Sequence, residues 1–75
     1  MASLTQIEFA VRGEYITLDA LLKAAGFAGS GGAAKAMVAA GKVQVDGQQE
    51  LRKTAKLRPG QVVALAGARV RLVAG

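Results

Sequence analysis

The stretch Ser30-Gly31-Gly32-Ala33-Ala34-Lys35-Ala36-Met37-Val38-Ala39-Ala40-Gly41-Lys42-Val43-Gln44-Val45-Asp46-Gly47 decides the fold. Its first part has helical spacing. Ala34, Met37 and Val38 make one inward stripe, and Lys35 points away from it. Ser30 is the N-cap candidate, because its hydroxyl can accept from an orphan backbone N–H of the first turn. The spacing predicts a helix from about Gly31 to Ala40, ended by Gly41. Beyond Gly41 the period changes to two, with Val43 and Val45 on one side and Lys42 and Gln44 on the other. Asp46-Gly47 is a primed hairpin turn, and Gln48 to Leu51 is the short returning strand.

Working towards the N-terminus, Leu18, Leu21, Leu22 and Ala25 fall at i, i+3, i+4 and i+7 and predict a shorter helix. Thr17 is its expected N-cap, and Asp19 suits the positive helix end. Asp19 and Lys23 are spaced to pair on the outer face. Gly26 is placed to end the helix in the left-handed region, and Phe27 to anchor the connection to the core. Before it, Ile7, Phe9 and Val11 alternate with Gln6, Glu8 and Ala10, which predicts a strand over Thr5–Val11 closed by Gly13.

Towards the C-terminus, Arg52 to Lys56 is an irregular basic stretch. Arg58-Pro59-Gly60 reads as a turn with Pro and Gly in its central positions. Val62–Leu65 and Arg69–Val73 are strands joined by a turn at Ala66-Gly67-Ala68, with Val70 and Leu72 on one face and Arg69 and Arg71 on the other. The expected class is α+β: an N-terminal strand, two short helices, then a small antiparallel sheet, all in a single domain of residues 1–75.

The chain of 75 residues has neither Cys nor His, which removes thiolate and imidazole metal sites, disulfides, cysteine nucleophiles and histidine triads. Asp19 and Asp46 already have capping and turn roles, and no pair of acids stands out as an acid–base couple. Gly29 to Gly32 is glycine-rich but lacks the Gly-Lys-Ser/Thr ending of a phosphate loop. No catalytic residue, metal or cofactor is expected. No apolar run is long enough to span a membrane, and Met1 to Ala10 does not read as a secretory leader. The expected location is the cytoplasm.

Ten Lys and Arg against five acids leave a net charge of +5, which points to a polyanionic partner. Six of the ten basic residues, Lys35, Lys42, Arg52, Lys53, Lys56 and Arg58, lie between the second helix and the Pro-Gly turn. Phe9, Tyr15 and Phe27 are too few for a base-stacking platform. Phosphate contact and shape readout remain, which suits folded RNA. Gly31 and Gly32 are costly choices for a helical first turn. Close packing of the helix end would explain them, and so would exposed N–H groups at Ser30, Gly31 and Gly32 able to hold a phosphate, or plain local flexibility.

The order and content of these pieces resemble the small RNA-binding domain named after ribosomal protein S-four, the alpha-L motif. The carrying residues are Leu18-Asp19-Ala20-Leu21-Leu22-Lys23, Gly26, Ser30-Gly31-Gly32-Ala33-Ala34-Lys35 and Gly41-Lys42-Val43-Gln44-Val45-Asp46-Gly47. Arg52-Lys53-Thr54-Ala55-Lys56-Leu57-Arg58-Pro59-Gly60-Gln61-Val62 resembles the basic crossing and following strand of that family. The likeness covers about residues 17–65 and is closest to the free-standing small bacterial branch. Many members have Arg directly after the serine, where this chain has Gly31.

The resemblance implies a non-catalytic module that docks on structured RNA. The expected partners are ribosomal or transfer RNA and ribonucleoprotein components, and the expected state is a monomer. It carries the basic face over to Lys35, Lys42, Arg52, Lys53 and Lys56, with Arg58 at its margin. A protein-interaction or assembly adaptor on a ribonucleoprotein and a non-specific DNA binder are the alternative functions.

Overall fold

The computed structural model describes residues 5–65 and 67–75. The decisive stretch forms as expected. Helix α2 spans Gly31–Ala39, and the Ser30 hydroxyl accepts from the Ala33 N–H at 3.2 Å. Strands β3 (Val43–Val45) and β4 (Gln48–Gln49) follow, β4 ending sooner than expected. Asp46 and Gly47 both have positive φ, at 51° and 82°, as a type I′ turn requires.

Helix α1 spans Leu18–Ala24. Both helices end alike. Gly26 and Gly41 take positive φ, at 86° and 74°. After α1, the Phe27 N–H donates to the Leu22 carbonyl and the Gly26 N–H to that of Lys23. After α2, Lys42 donates to Met37 and Gly41 to Val38. These are the paired bonds of a Schellman ending, which satisfy carbonyls the helix leaves orphaned.

The start of α1 departs from expectation. Thr17 occupies the cap position but makes no side-chain cap bond. It lies in strand β2 (Ile16–Thr17), which pairs antiparallel with β5 (Lys56–Leu57). That pairing brings the basic crossing over the helix end. The Leu18 N–H donates to the Ala55 carbonyl at 3.0 Å and the Asp19 N–H to the Lys53 carbonyl at 2.9 Å. Backbone from a distant segment therefore does the work expected of a hydroxyl. No Asp19–Lys23 ion pair forms among the described residues, and Asp19 Oδ1 accepts from the Ala20 N–H instead.

The remaining strands are β1 (Thr5–Val11), β6 (Val62–Leu65) and β7 (Ala68–Ala74). The main sheet has the order β1-β7-β6-β3-β4. Its β7-β6-β3-β4 part is antiparallel, while β1 adds to β7 in parallel and makes the sheet mixed. The turn before β6 has Gly60 at φ 98° and a Gln61 N–H to Arg58 carbonyl bond, the geometry of a type II turn. In the β6–β7 turn, Gly67 has positive φ and Ala66 lies outside the described residues.

Leu18, Leu21 and Leu22 of α1, Ala34 and Val38 of α2, and Val43, Val63, Leu65, Val70 and Leu72 of the sheet form one buried cluster. Phe9, Phe27 and Met37 pack at its margin. The cluster includes Ala55 and Leu57, so the basic crossing is tied to the core by apolar side chains as well as by the α1 bonds. Arg69 and Arg71 alternate with Val70 and Leu72 and lie exposed on the opposite face of the sheet.

Candidate nucleic-acid interface

The crossing segment sets most of the site. Its backbone is held at Lys53 and Ala55 by the α1 N–H groups and at Lys56 by β2. Lys53 consequently lies beside Lys35 of α2. Its ammonium is held below its ordinary pKa by the Lys35 side chain, through hydrogen-bonding proximity first and like charge second. Lost hydration adds to this shift, and the Asp19 carboxylate opposes it. Two cations are thus brought together from segments eighteen residues apart, a concentration of positive charge suited to an anion.

Arg52 and Lys56 flank the same segment and line a shallow depression of about 300 Å³ with Thr54 and Ala55. Arg52 is partly engaged already, its Nε standing 3.6 Å from the Glu50 carboxylate. That carboxylate also accepts from the Arg52 backbone N–H. An exposed pair of this kind contributes about 0–1 kcal/mol, so it leaves the arginine free to exchange partners. The Lys56 Nζ lies 5.0 Å from the centre of the Tyr15 ring, in cation–π range. Tyr15, which had no role in the sequence reading, is 41 % exposed in the turn before β2. Its signal was an aromatic side chain between Glu14 and a strand residue, in a turn with no apolar period to explain it.

The other candidates are more scattered. Lys42 follows the α2 ending and lines a different depression, shared with Gln44, Ala64 and Arg69 at the rim of the sheet. It belongs as much to the sheet side as to the crossing. Arg58 is exposed in the Pro-Gly turn, where its backbone N–H donates to Gln61 Oε1 at 2.8 Å.

At the start of α2, Ser30 is occupied by its capping bond. Gly31 and Gly32 are exposed, and their N–H groups have no partner among the described residues. Among the described residues a Cβ at Gly31 would meet nothing within 4 Å, and one at Gly32 only the Ser30 hydroxyl at 3.8 Å. Close packing therefore does not account for the two glycines.

The arrangement is that of an α+β domain in which two helices and a short hairpin carry a basic crossing, the alpha-L motif. The chain belongs to the S4 domain family, whose model matches residues 9–73. It is 45% identical over 60 residues to the Escherichia coli (strain K12) protein named "Putative RNA-binding protein YbcJ", covering 80% of this chain and 86% of that one. The same identity and coverage hold for YbcJ of Shigella flexneri. The solution structure of Escherichia coli YbcJ, described as revealing an alpha-L motif involved in RNA binding, superposes with a TM-score of 0.65. That comparison has 38% identity and covers 99% of this chain and 92% of the YbcJ chain.

Proposed function

We propose that this chain is a non-catalytic module that docks on structured RNA, ribosomal or transfer RNA, through the basic crossing and the adjoining surface of α2. The observation that carries the reading is the juxtaposition of Lys35 and Lys53. Bringing two ammonium groups together costs free energy in the absence of an anion, and a phosphate near both relieves that repulsion. Arg52 and Lys56 extend the charge along the crossing, with Lys42 and Arg58 at the margins. Phe9 and Phe27 are committed to the core and Tyr15 lies under Lys56, which favours phosphate and shape recognition over base stacking. The relatives named for RNA binding support the same partner. The whole of residues 1–75 acts as one RNA-binding unit in this reading, and the cytoplasm is its place of action.

The test is fluorescence anisotropy of a labelled ribosomal RNA hairpin over a range of salt concentrations. Roughly four or five phosphate contacts give a log–log slope of about −3 to −4. Lys35→Gln with Lys53→Gln should flatten it by roughly 1.5 and weaken binding to different RNA sequences alike. Arg69→Gln with Arg71→Gln removes the same charge from the far side of the sheet and should do much less. Equal losses from both doubles would mean that net charge alone drives binding. Equal affinity for duplex DNA would favour the non-specific DNA binder. Protein partners retained after nuclease treatment would favour an assembly adaptor, for which Leu51, 58 % exposed beside Arg52, is the natural contact.

A further inference from the structure

The two edges of the main sheet are treated differently. At one edge β4 has only two residues, and the Gln49 side chain folds back to donate to the Gly41 carbonyl at 3.0 Å. Such a short edge offers little to another strand. At the other edge β1 runs for seven residues in unbroken register with β7. It contains no proline, no bulge and no lysine, and of the devices that blunt an edge it has one charged side chain, Glu8.

The hydrogen-bond directions along β1 follow from its ends. Thr5 donates to the Gly67 carbonyl, and the Val11 carbonyl accepts from Gly75. In a parallel pair this alternation commits the backbone of Thr5, Ile7, Phe9 and Val11 to β7. The N–H and C=O groups of Gln6, Glu8 and Ala10 then point to the open edge. The inward side chains beside that edge are also incompletely covered. Ile7 and Phe9 are only half-buried, and among the described residues β1 packs principally on β7, no helix making more than a marginal contact with it.

We propose that β1 pairs antiparallel with β1 of a second copy of this chain, about a two-fold axis at Phe9, joining two five-stranded sheets into one. The register follows from charge and backbone direction. An axis at Glu8 would set two carboxylates opposite each other, which is unfavourable. With the axis at Phe9, Glu8 faces the partner's Ala10 as a hydrogen-bonded pair, and the outward N–H and C=O groups meet. Phe9 then faces the partner's Phe9 as a non-hydrogen-bonded pair, where side chains approach most closely. Ile7 faces the partner's Val11, which its own core already buries, so the half-covered side chains that the pairing closes over are Phe9 and Ile7. On the other face the diagonal neighbours of Glu8 are the partner's Arg12 and the partner's Glu8. The two-fold thus gives two opposite-charge diagonals against one like-charge diagonal, where the Glu8 axis would set the carboxylates directly opposite. The interface is self-complementary, as a two-fold dimer requires. It leaves the crossing segment free and does not depend on the RNA-binding reading.

Sedimentation equilibrium of the full chain, from about 10 μM to about 1 mM, should show a reversible monomer–dimer equilibrium, as a small interface predicts. Glu8→Pro removes an edge donor that β7 does not use and is tolerated at an edge strand. It should raise the dimer dissociation constant roughly tenfold while leaving the circular dichroism spectrum and RNA affinity unchanged. Glu8→Arg should weaken the dimer several-fold, and adding Arg12→Glu should restore it. The chain has no cysteine, so Phe9→Cys under mild oxidation should give a disulfide-linked dimer. Ala10→Cys, out of disulfide reach across the axis, should not. A monomer throughout the concentration range, a dimer indifferent to Glu8→Pro and to both charge changes, or cross-linking from Phe9→Cys no greater than from exposed Gln48→Cys would overturn the proposal.

Discussion

The two helices begin under the same local instruction, a hydroxyl residue in the cap position, and only one follows it. Ser30 caps α2 with its own side chain and leaves the first two N–H groups of that helix exposed. Thr17 gives nothing to α1, whose first N–H groups are taken by carbonyls of Lys53 and Ala55, more than thirty residues along the chain. One helix start is thus closed by the fold and the other left open. The closure of α1 is what positions the candidate site: backbone bonds to its first turn hold the crossing in place, and the crossing carries Lys53 to Lys35. A structural bond at one helix end therefore determines where charge collects beside the other.

The largest test of this contrast removes what both helices share. Leu22 is fully buried on α1, and its carbonyl accepts from both Phe27 and Ala28. Leu22→Ala should destabilise the domain by about 2–5 kcal/mol, read from a chemical denaturation curve. An unchanged midpoint would mean that the leucine stripe does not support the fold.

The caps themselves give the next effect. Ser30→Ala should cost roughly 1 kcal/mol, because the Ala33 N–H loses its acceptor. Thr17→Ala should stay within about 0.5 kcal/mol, since no capping bond is lost. Equal costs would place a hydroxyl cap on both helices and remove the contrast.

Asp46 offers a third arrangement, a side chain that reaches across the chain. Its carboxylate accepts from the Val62 backbone N–H and the Gln61 side-chain amide, each at 3.0 Å, and these bonds hold its pKa below the ordinary 3.8. A carboxyl group whose pKa is lower folded than unfolded stabilises the fold above the unfolded value. That contribution is lost as pH falls through the folded value. Stability should decline below about pH 4, and Asp46→Asn should flatten this part of the profile in denaturation curves taken across the acid range. An identical acid profile would show that the bonds to Val62 and Gln61 do not tie β3 to β6.

These cases also separate what was legible in the sequence from what was not. Gly26, Gly41 and Asp46-Gly47 act through φ angles of their own residues, so their endings and turn could be read locally. The Ser30 cap closes within one turn and was legible for the same reason. The parallel pairing of β1 with β7 joins opposite ends of the chain, and its alternation is the same as that of an antiparallel edge strand. The β2–β5 pair was hidden because four residues in two short runs have no period to detect. At the candidate site, the basic residues were visible as types, but the meeting of Lys35 and Lys53 depends on that hidden pair. Arg52 could be counted as a charge, yet its attachment to Glu50 could not be inferred from a count.

The smallest effect lies at the open helix start and decides whether its openness has a use. Gly31 is the first residue of α2, and an added Cβ there meets no atom of the described residues within 4 Å. Gly31→Ala should therefore stabilise the domain by about 0.4–1 kcal/mol, mainly by restricting the unfolded chain. It leaves the N–H in place, so RNA affinity should change little. Gly31→Glu puts a negative charge at a helix end that tolerates one, so folding should survive. It also stands four residues before Lys35, where the carboxylate can pair with that lysine and compete with phosphate. RNA affinity measured by anisotropy should fall with Gly31→Glu and hold with Gly31→Ala. If both variants bind as the parent does at equal stability, the exposed N–H groups take no part in recognition. The open start of α2 would then be as purely structural as the closed start of α1, and the basic crossing alone would carry the RNA.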